Sequence, residues 1–88
     1  MGIYKNSAIV GQEMILTYLR NRMKERKITQ EQLAGILDTS VTTLWRYFNM
    51  KVQMPLGVYL EICGALNLRP YLIPSEMDNN DMPRMFFN

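Results

Sequence analysis

The chain has no histidine and a single cysteine, Cys63, among its 88 residues. Without histidine no side chain has an ordinary pKa near neutrality, so acid–base catalysis through imidazole is excluded. One cysteine cannot close an internal disulfide, and alone it cannot hold a structural zinc. No run of about 18 apolar residues is present, so no segment reads as a membrane span. Met1 to Val10 carries one lysine and no long apolar stretch, which does not fit a secretory leader. There is no nucleophile–base pair, no ligand cluster and no glycine loop of the kind that cradles phosphates. The expectation is a cytoplasmic protein that is not an enzyme and uses no metal and no cofactor.

What is present is a small globular chain, 48% apolar. At this length folding buries only roughly 60–65% of the unfolded surface, so stability is marginal and oligomerisation is a common remedy. The net charge of +2 says little, but its distribution says more. Residues 1–73 carry nine basic and five acidic side chains, a net +4, while Glu76, Asp78 and Asp81 against Arg84 give residues 75–88 a net −2. A basic body with an acidic tail suits a polyanion-binding domain, although many basic surfaces bind no nucleic acid.

Residues 1–10 read as an N-terminal arm, in which Ser7 is a candidate helix cap. Residues 11–27 read as a helix, with Ile15, Leu19 and Met23 at i, i+4 and i+8 and Leu16 beside them. Its other face carries Arg20, Arg22, Lys24 and Arg26, either a solvated face or bases that approach phosphate. Thr29 is placed to cap a second helix, with Gln32 as the returning half of a capping box. That helix runs to about Leu37, with Leu33, Ala34 and Leu37 on one side. Asp38-Thr39-Ser40 breaks it, since Asp tolerates the left-handed backbone that ends helices and Ser40 caps the next one. The third helix spans Val41 to about Phe48, with Leu44 and Tyr47 expected in the core. A loop from Asn49 to Gln53 leads to Pro55, which suits a helix start, and to a stripe of Leu56, Tyr59, Leu60, Cys63 and Leu66 that Asn67 ends. Cys63 on this stripe reads as a small buried hydrophobe, and Met23, Met50 and Met54 as gap-fillers rather than metal ligands.

Two short helices joined by a three-residue corner carry most of the information. So tight a connection fixes a steep angle between the axes, and Ala34 is small where they cross. The third helix is then a projecting ridge. A helix is about 10–12 Å across and matches the roughly 12 Å major groove of duplex DNA.

The segment ITQEQLAGILDTSVTTLWRYFN (residues 28–49) resembles the helix-turn-helix of the Xre (Cro/CI, lambda-repressor-like) family. The matching positions are Ile28, Thr29-Gln30, Glu31-Gln32, Leu33-Ala34, Asp38-Thr39-Ser40 and Val41 onward, and Arg46-Tyr47-Phe48-Asn49 resembles the end of the recognition helix in lambda-type repressors. With its flanks the likeness spans about residues 14–68. Asp38 stands where the family usually has Gly, Thr39 where it has an aliphatic residue, and Val41 where it often has a polar residue. The resemblance implies an all-α, four- to five-helix bundle in residues 11–74 that binds double-stranded DNA as a regulator. It implies phosphate contacts from Gln30, Ser40 and Thr43, base-edge contacts from Val41 and Thr42, and a guanine or phosphate contact from Arg46. Val41 is expected beside a thymine methyl, Asn49 as a backbone-positioning residue and Lys51 on phosphate. Trp45 is expected to turn away from DNA and pack on the body; Tyr47 and Phe48 are core or dimer contacts. The alternative is a protein-interaction module of the same fold without DNA binding.

Leu68 to Ile73 is short, apolar and bracketed by Pro70 and Pro74, which fits a terminal or edge β-strand. A lone strand is not stable, so it is expected to pair with its copy across a two-fold axis. A helix-turn-helix body followed by a strand and a polar tail resembles HipB-like antitoxins in its order. A homodimer also follows from DNA reading, since one recognition helix covers too few base pairs for useful specificity. Residues 75–88, ending in Pro-Arg-Met-Phe-Phe-Asn, read either as a disordered tail or as a segment that folds on a partner such as a cognate toxin.

Overall fold

The computed structural model describes residues 3–74 and contains four helices: α1 (Ile3–Arg26), α2 (Gln30–Leu37), α3 (Val41–Phe48) and α4 (Leu56–Ala65). Residues 19–70 form one compact unit; residues 3–18 and 71–74 belong to another, so α1 runs through both. The tail segment considered above, residues 75–88, lies outside the described residues.

Local chemistry sets where the helices start. Thr29 Oγ1 accepts from the Gln32 amide at 3.1 Å while Gln32 Oε1 accepts from the Thr29 amide at 2.9 Å, a complete capping box. Ser40 Oγ accepts from the Thr43 amide at 3.0 Å and starts α3. Pro55 precedes α4 with no side-chain cap, its ring holding φ at −63°.

Local chemistry also sets where they stop, and without glycine. Lys27, Asp38, Met50 and Asn67 follow α1 to α4 in turn, each with φ of 57° or 58°. The residue after each of them closes the terminal loop: Ile28 N–H to Met23 O at 2.9 Å, Thr39 to Ala34 at 2.9 Å, Lys51 to Arg46 at 2.9 Å and Leu68 to Cys63 at 2.7 Å. These are Schellman closures, which satisfy carbonyls that the helix leaves free.

The core of residues 19–70 takes Leu19 and Met23 from α1, Leu33 and Ala34 from α2, Leu44 and Phe48 from α3, and Ile62, Cys63 and Leu66 from the end of α4. The second helix packs against both α3 and α4. Two arginines of α1 clamp the ends of the others. Arg20 Nη2 donates to Phe48 O at 2.7 Å, and Arg22 Nε donates to Leu66 O at 3.1 Å while also facing Glu25 at 3.4 Å. Each puts a cation on the negative, carbonyl-bearing end of a helix.

Several sequence expectations are corrected. The first helix begins at Ile3, so residues 3–10 are helical and Ser7 lies inside α1 rather than capping it. In α3 the core residue beside Leu44 is Phe48, with Tyr47 only half-buried. Adjacent aromatics one residue apart differ by 100° around the helix, and the Arg20 clamp sits on the Phe48 side. In α4 the stripe is rotated: Ile62, Cys63 and Leu66 are buried, while Leu56 and Leu60 face solvent. Arg20 and Arg22 are half-buried rather than part of a solvated face and form the helix clamps just described. Residues 68–74 carry no strand in the single chain, where no neighbouring strand supplies a hydrogen-bonding ladder. Leu16, Leu19 and Met23 are buried as the α1 stripe predicts, with Ile15 half-buried.

Candidate nucleic-acid interface

The ridge begins with an eight-residue helix that buries two apolar side chains and leaves two others exposed. Leu44 and Phe48 are wholly buried and seat α3 on the core. At 100° per residue, Thr42, Arg46 and Asn49 fall on the opposite side with Trp45 at its edge, while Val41, in the first turn, lies on the flank beside Phe48; all five are exposed. The face is held at both ends: the Ser40 cap fixes its start, and Arg20 holds the carbonyl of Phe48 at its finish.

The polar groups along this ridge have definable free capacity. Ser40 Oγ–H donates to Thr43 Oγ1 at 2.8 Å, and Ser40 Oγ already accepts from the Thr43 amide. A hydroxyl has one proton to give, so the Thr43 O–H is the one left for an outside acceptor. Asn49 Nδ2 donates to Trp45 O at 2.8 Å, leaving a second N–H and the Oδ1 free. Gln30 is the first residue of α2 and half-buried; Lys51 is exposed in the loop after α3. In both α2 and α3 the caps occupy the third and fourth amides, those of Gln32 and Leu33 and of Thr43 and Leu44. The amides of Gln30, Glu31, Val41 and Thr42 remain at the positive helix ends, where anions such as phosphate are favoured.

The structure thus gathers Thr42, Arg46 and Asn49 on one exposed face, with Val41 exposed at the start of the helix. Ser40 and Thr43 sit at its head, with Lys51 beyond its foot and Gln30 on the neighbouring helix. It also brings in a residue that sequence reasoning turned away. Trp45 is 47% exposed and lies at the edge of this face, between Val41 and Arg46 around the helix. Residue type argued for burial, but position is the better signal, since residue 45 stands four places after Val41 and three after Thr42.

Little else on the body suggests chemistry. Burial, with the Cys63 thiol beside it, pushes the Tyr59 phenol above its usual range, so this group keeps its proton at neutral pH. Among the described residues no group of three His, Cys, Asp or Glu is placed to hold a metal ion. No helix of the described residues is long and apolar enough to cross a membrane.

Comparison with known proteins agrees with this geometry. The family model for the Cro/C1-type HTH DNA-binding domain matches residues 18–71. No curated protein and no solved structure matches the chain. The family match takes in α2, the corner at Asp38-Thr39-Ser40, α3 and α4. It covers more than half of the 88 residues, and the chain belongs to the Cro/C1-type helix-turn-helix DNA-binding domain family.

Proposed function

We propose that the protein is a sequence-specific transcriptional regulator, a repressor, that lays α3 in the major groove and acts as a dimer on a palindromic operator. The observation that carries this is the exposure of Val41, Thr42 and Arg46 on α3, a helix that Leu44 and Phe48 lock into the core. In this reading Val41 and Thr42 meet base edges and Arg46 takes a guanine or a phosphate. Gln30, Ser40 and Thr43 position phosphates with the helix-end amides behind them, and Asn49 and Lys51 hold the backbone at the foot of the ridge.

The dimer rests on a separate observation. Tyr71, Leu72 and Ile73 are 77%, 95% and 63% exposed, three consecutive large apolar side chains. Pairing of this segment with its copy as a short strand would cover them and set two α3 ridges on one operator. Such an order of elements fits an antitoxin whose residues 75–88 engage a cognate toxin in the cytoplasm.

Selection from a random duplex pool, followed by mobility shift across a salt series, tests the function. The expected result is a palindromic site bound by two chains, with affinity falling steeply as salt rises, at a log–log slope near −0.9 per phosphate contact. Absence of duplex binding at low salt would replace this reading with a protein-interaction module of the same fold.

A further inference from the structure

We infer that Trp45 is a specificity-determining residue that reads thymine methyls in the major groove. The inference rests on the proposed placement of α3 and goes further by assigning a reader and the chemistry that it reads.

Trp45 is the only tryptophan in the chain. It is 47% exposed on a helix whose buried side is filled by Leu44 and Phe48, so the fold does not need the indole to complete its core. Its backbone is fixed, because the Trp45 carbonyl accepts both from the Asn49 amide at 3.0 Å and from Asn49 Nδ2 at 2.8 Å. The ring therefore projects from a fixed backbone, with Val41 one turn before it and Arg46 next in sequence, both exposed.

The neighbours decide what such a ring can recognise. Indole offers an apolar surface and one N–H donor, with no acceptor. Val41 adds only apolar surface, and Arg46 adds only donors. At its centre the ridge thus matches a base pair that presents a methyl group and an acceptor. In the major groove thymine presents both, through its C5-methyl and O4. Cytosine, which offers its N4 amino group as a donor, finds no acceptor on Trp45, Val41 or Arg46. The occupant is a thymine-bearing step of duplex DNA, with Arg46 directed to the adjoining guanine or phosphate.

Because there is no other tryptophan, the intact chain reports on its own contact. Titration with the selected duplex is expected to shift the indole emission to the blue and protect it from acrylamide quenching. Replacing each dT of the site in turn by dU removes one methyl group. At the thymines under Trp45 this should weaken binding about fourfold per methyl in the wild-type chain, and leave Trp45→Ala unaffected. Duplex binding by mobility shift with unchanged emission and quenching would overturn the inference and leave the proposed function standing. So would a dU penalty of equal size in wild type and variant. Failure to bind any duplex would remove the proposed function itself, and the inference with it. The fluorescence arm needs no variant, so it decides even if Trp45→Ala folds poorly.

Discussion

Arg20 holds its guanidinium 5.7 Å from the centroid of the Phe48 ring and donates a 2.7 Å hydrogen bond to the carbonyl oxygen of the same residue. One side chain of α1 thereby fixes both the packed side and the open end of α3. A charged hydrogen bond of this kind contributes about 1.5–3 kcal/mol, and a cation over a ring adds about 0.5–1 kcal/mol. Arg20→Ala is expected to lower the melting temperature, followed by circular dichroism without DNA, by about 10 °C or more. Arg20→Lys should recover only part, since an ammonium keeps the charge and loses the planar stacking. An unchanged melting temperature in Arg20→Ala would show that the clamp does not hold α3.

Arg46 lies on the same helix as Phe48 but on its outer side, and the contrast is itself a test. Arg46→Ala should leave the melting temperature within about 2 °C of wild type, since exposed substitutions away from special features cost little. Its affinity for the selected duplex should fall by about 1–3 kcal/mol, with relaxed preference at one base pair. Lys51→Ala should weaken all duplexes alike and reduce the salt slope by about one contact. Parallel losses of stability and affinity in Arg46→Ala would place that side chain in the fold rather than at the interface.

How far the sequence could be read depended on the range of the forces involved. Thr29, Gln32 and Ser40 act within three residues of their partners, so the caps and the corner at Asp38 were legible from chain order. Leu19 and Met23 were legible because α1 alternates apolar and basic residues at helical spacing. By contrast Leu56, Val58, Tyr59, Leu60, Ile62 and Cys63 cover more than half of the circumference of α4, so the stripe through Leu56, Tyr59, Leu60, Cys63 and Leu66 was not the one choice the pattern allowed. The helix's buried side is chosen by packing against α2, which no local pattern reports. The same holds for Arg20 and Arg22, whose partners Phe48 and Leu66 are 28 and 44 residues away. Trp45 was misjudged for the opposite reason: its apolar character suggested burial, and its helical position specifies exposure.

The placement of glycine gives a third expectation. Met50 ends α3 at φ 57°, a left-handed conformation that costs a side-chain-bearing residue about 1–2 kcal/mol. Gly35 sits inside α2, where a Cβ would meet nothing within 4 Å. A glycine inside a helix costs about 0.5–1 kcal/mol relative to alanine. Met50→Gly and Gly35→Ala should therefore each raise the melting temperature by several degrees, and their effects should be close to additive for sites that share no partner. A fall in either variant would mean that the Met50 side chain, or the space beside Gly35, is engaged by something other than this chain's own fold.

The dimer can be probed at a residue that contributes little to the single chain. Leu72 is 95% exposed, so Leu72→Asp removes almost no buried surface and should leave the monomer's helix content unchanged. If residues 71–73 pair with their copies, a carboxylate facing its own symmetry mate adds like-charge repulsion and opposes association. Sedimentation should then show wild type moving toward dimer with concentration and Leu72→Asp remaining monomeric. The variant should bind a single half-site as wild type does and lose the extra affinity for the palindrome, because two linked half-sites gain from effective concentration that a monomer lacks. Equal sedimentation of the two proteins would put the dimer contact elsewhere; a loss of half-site binding would mean that Leu72 supports the ridge itself.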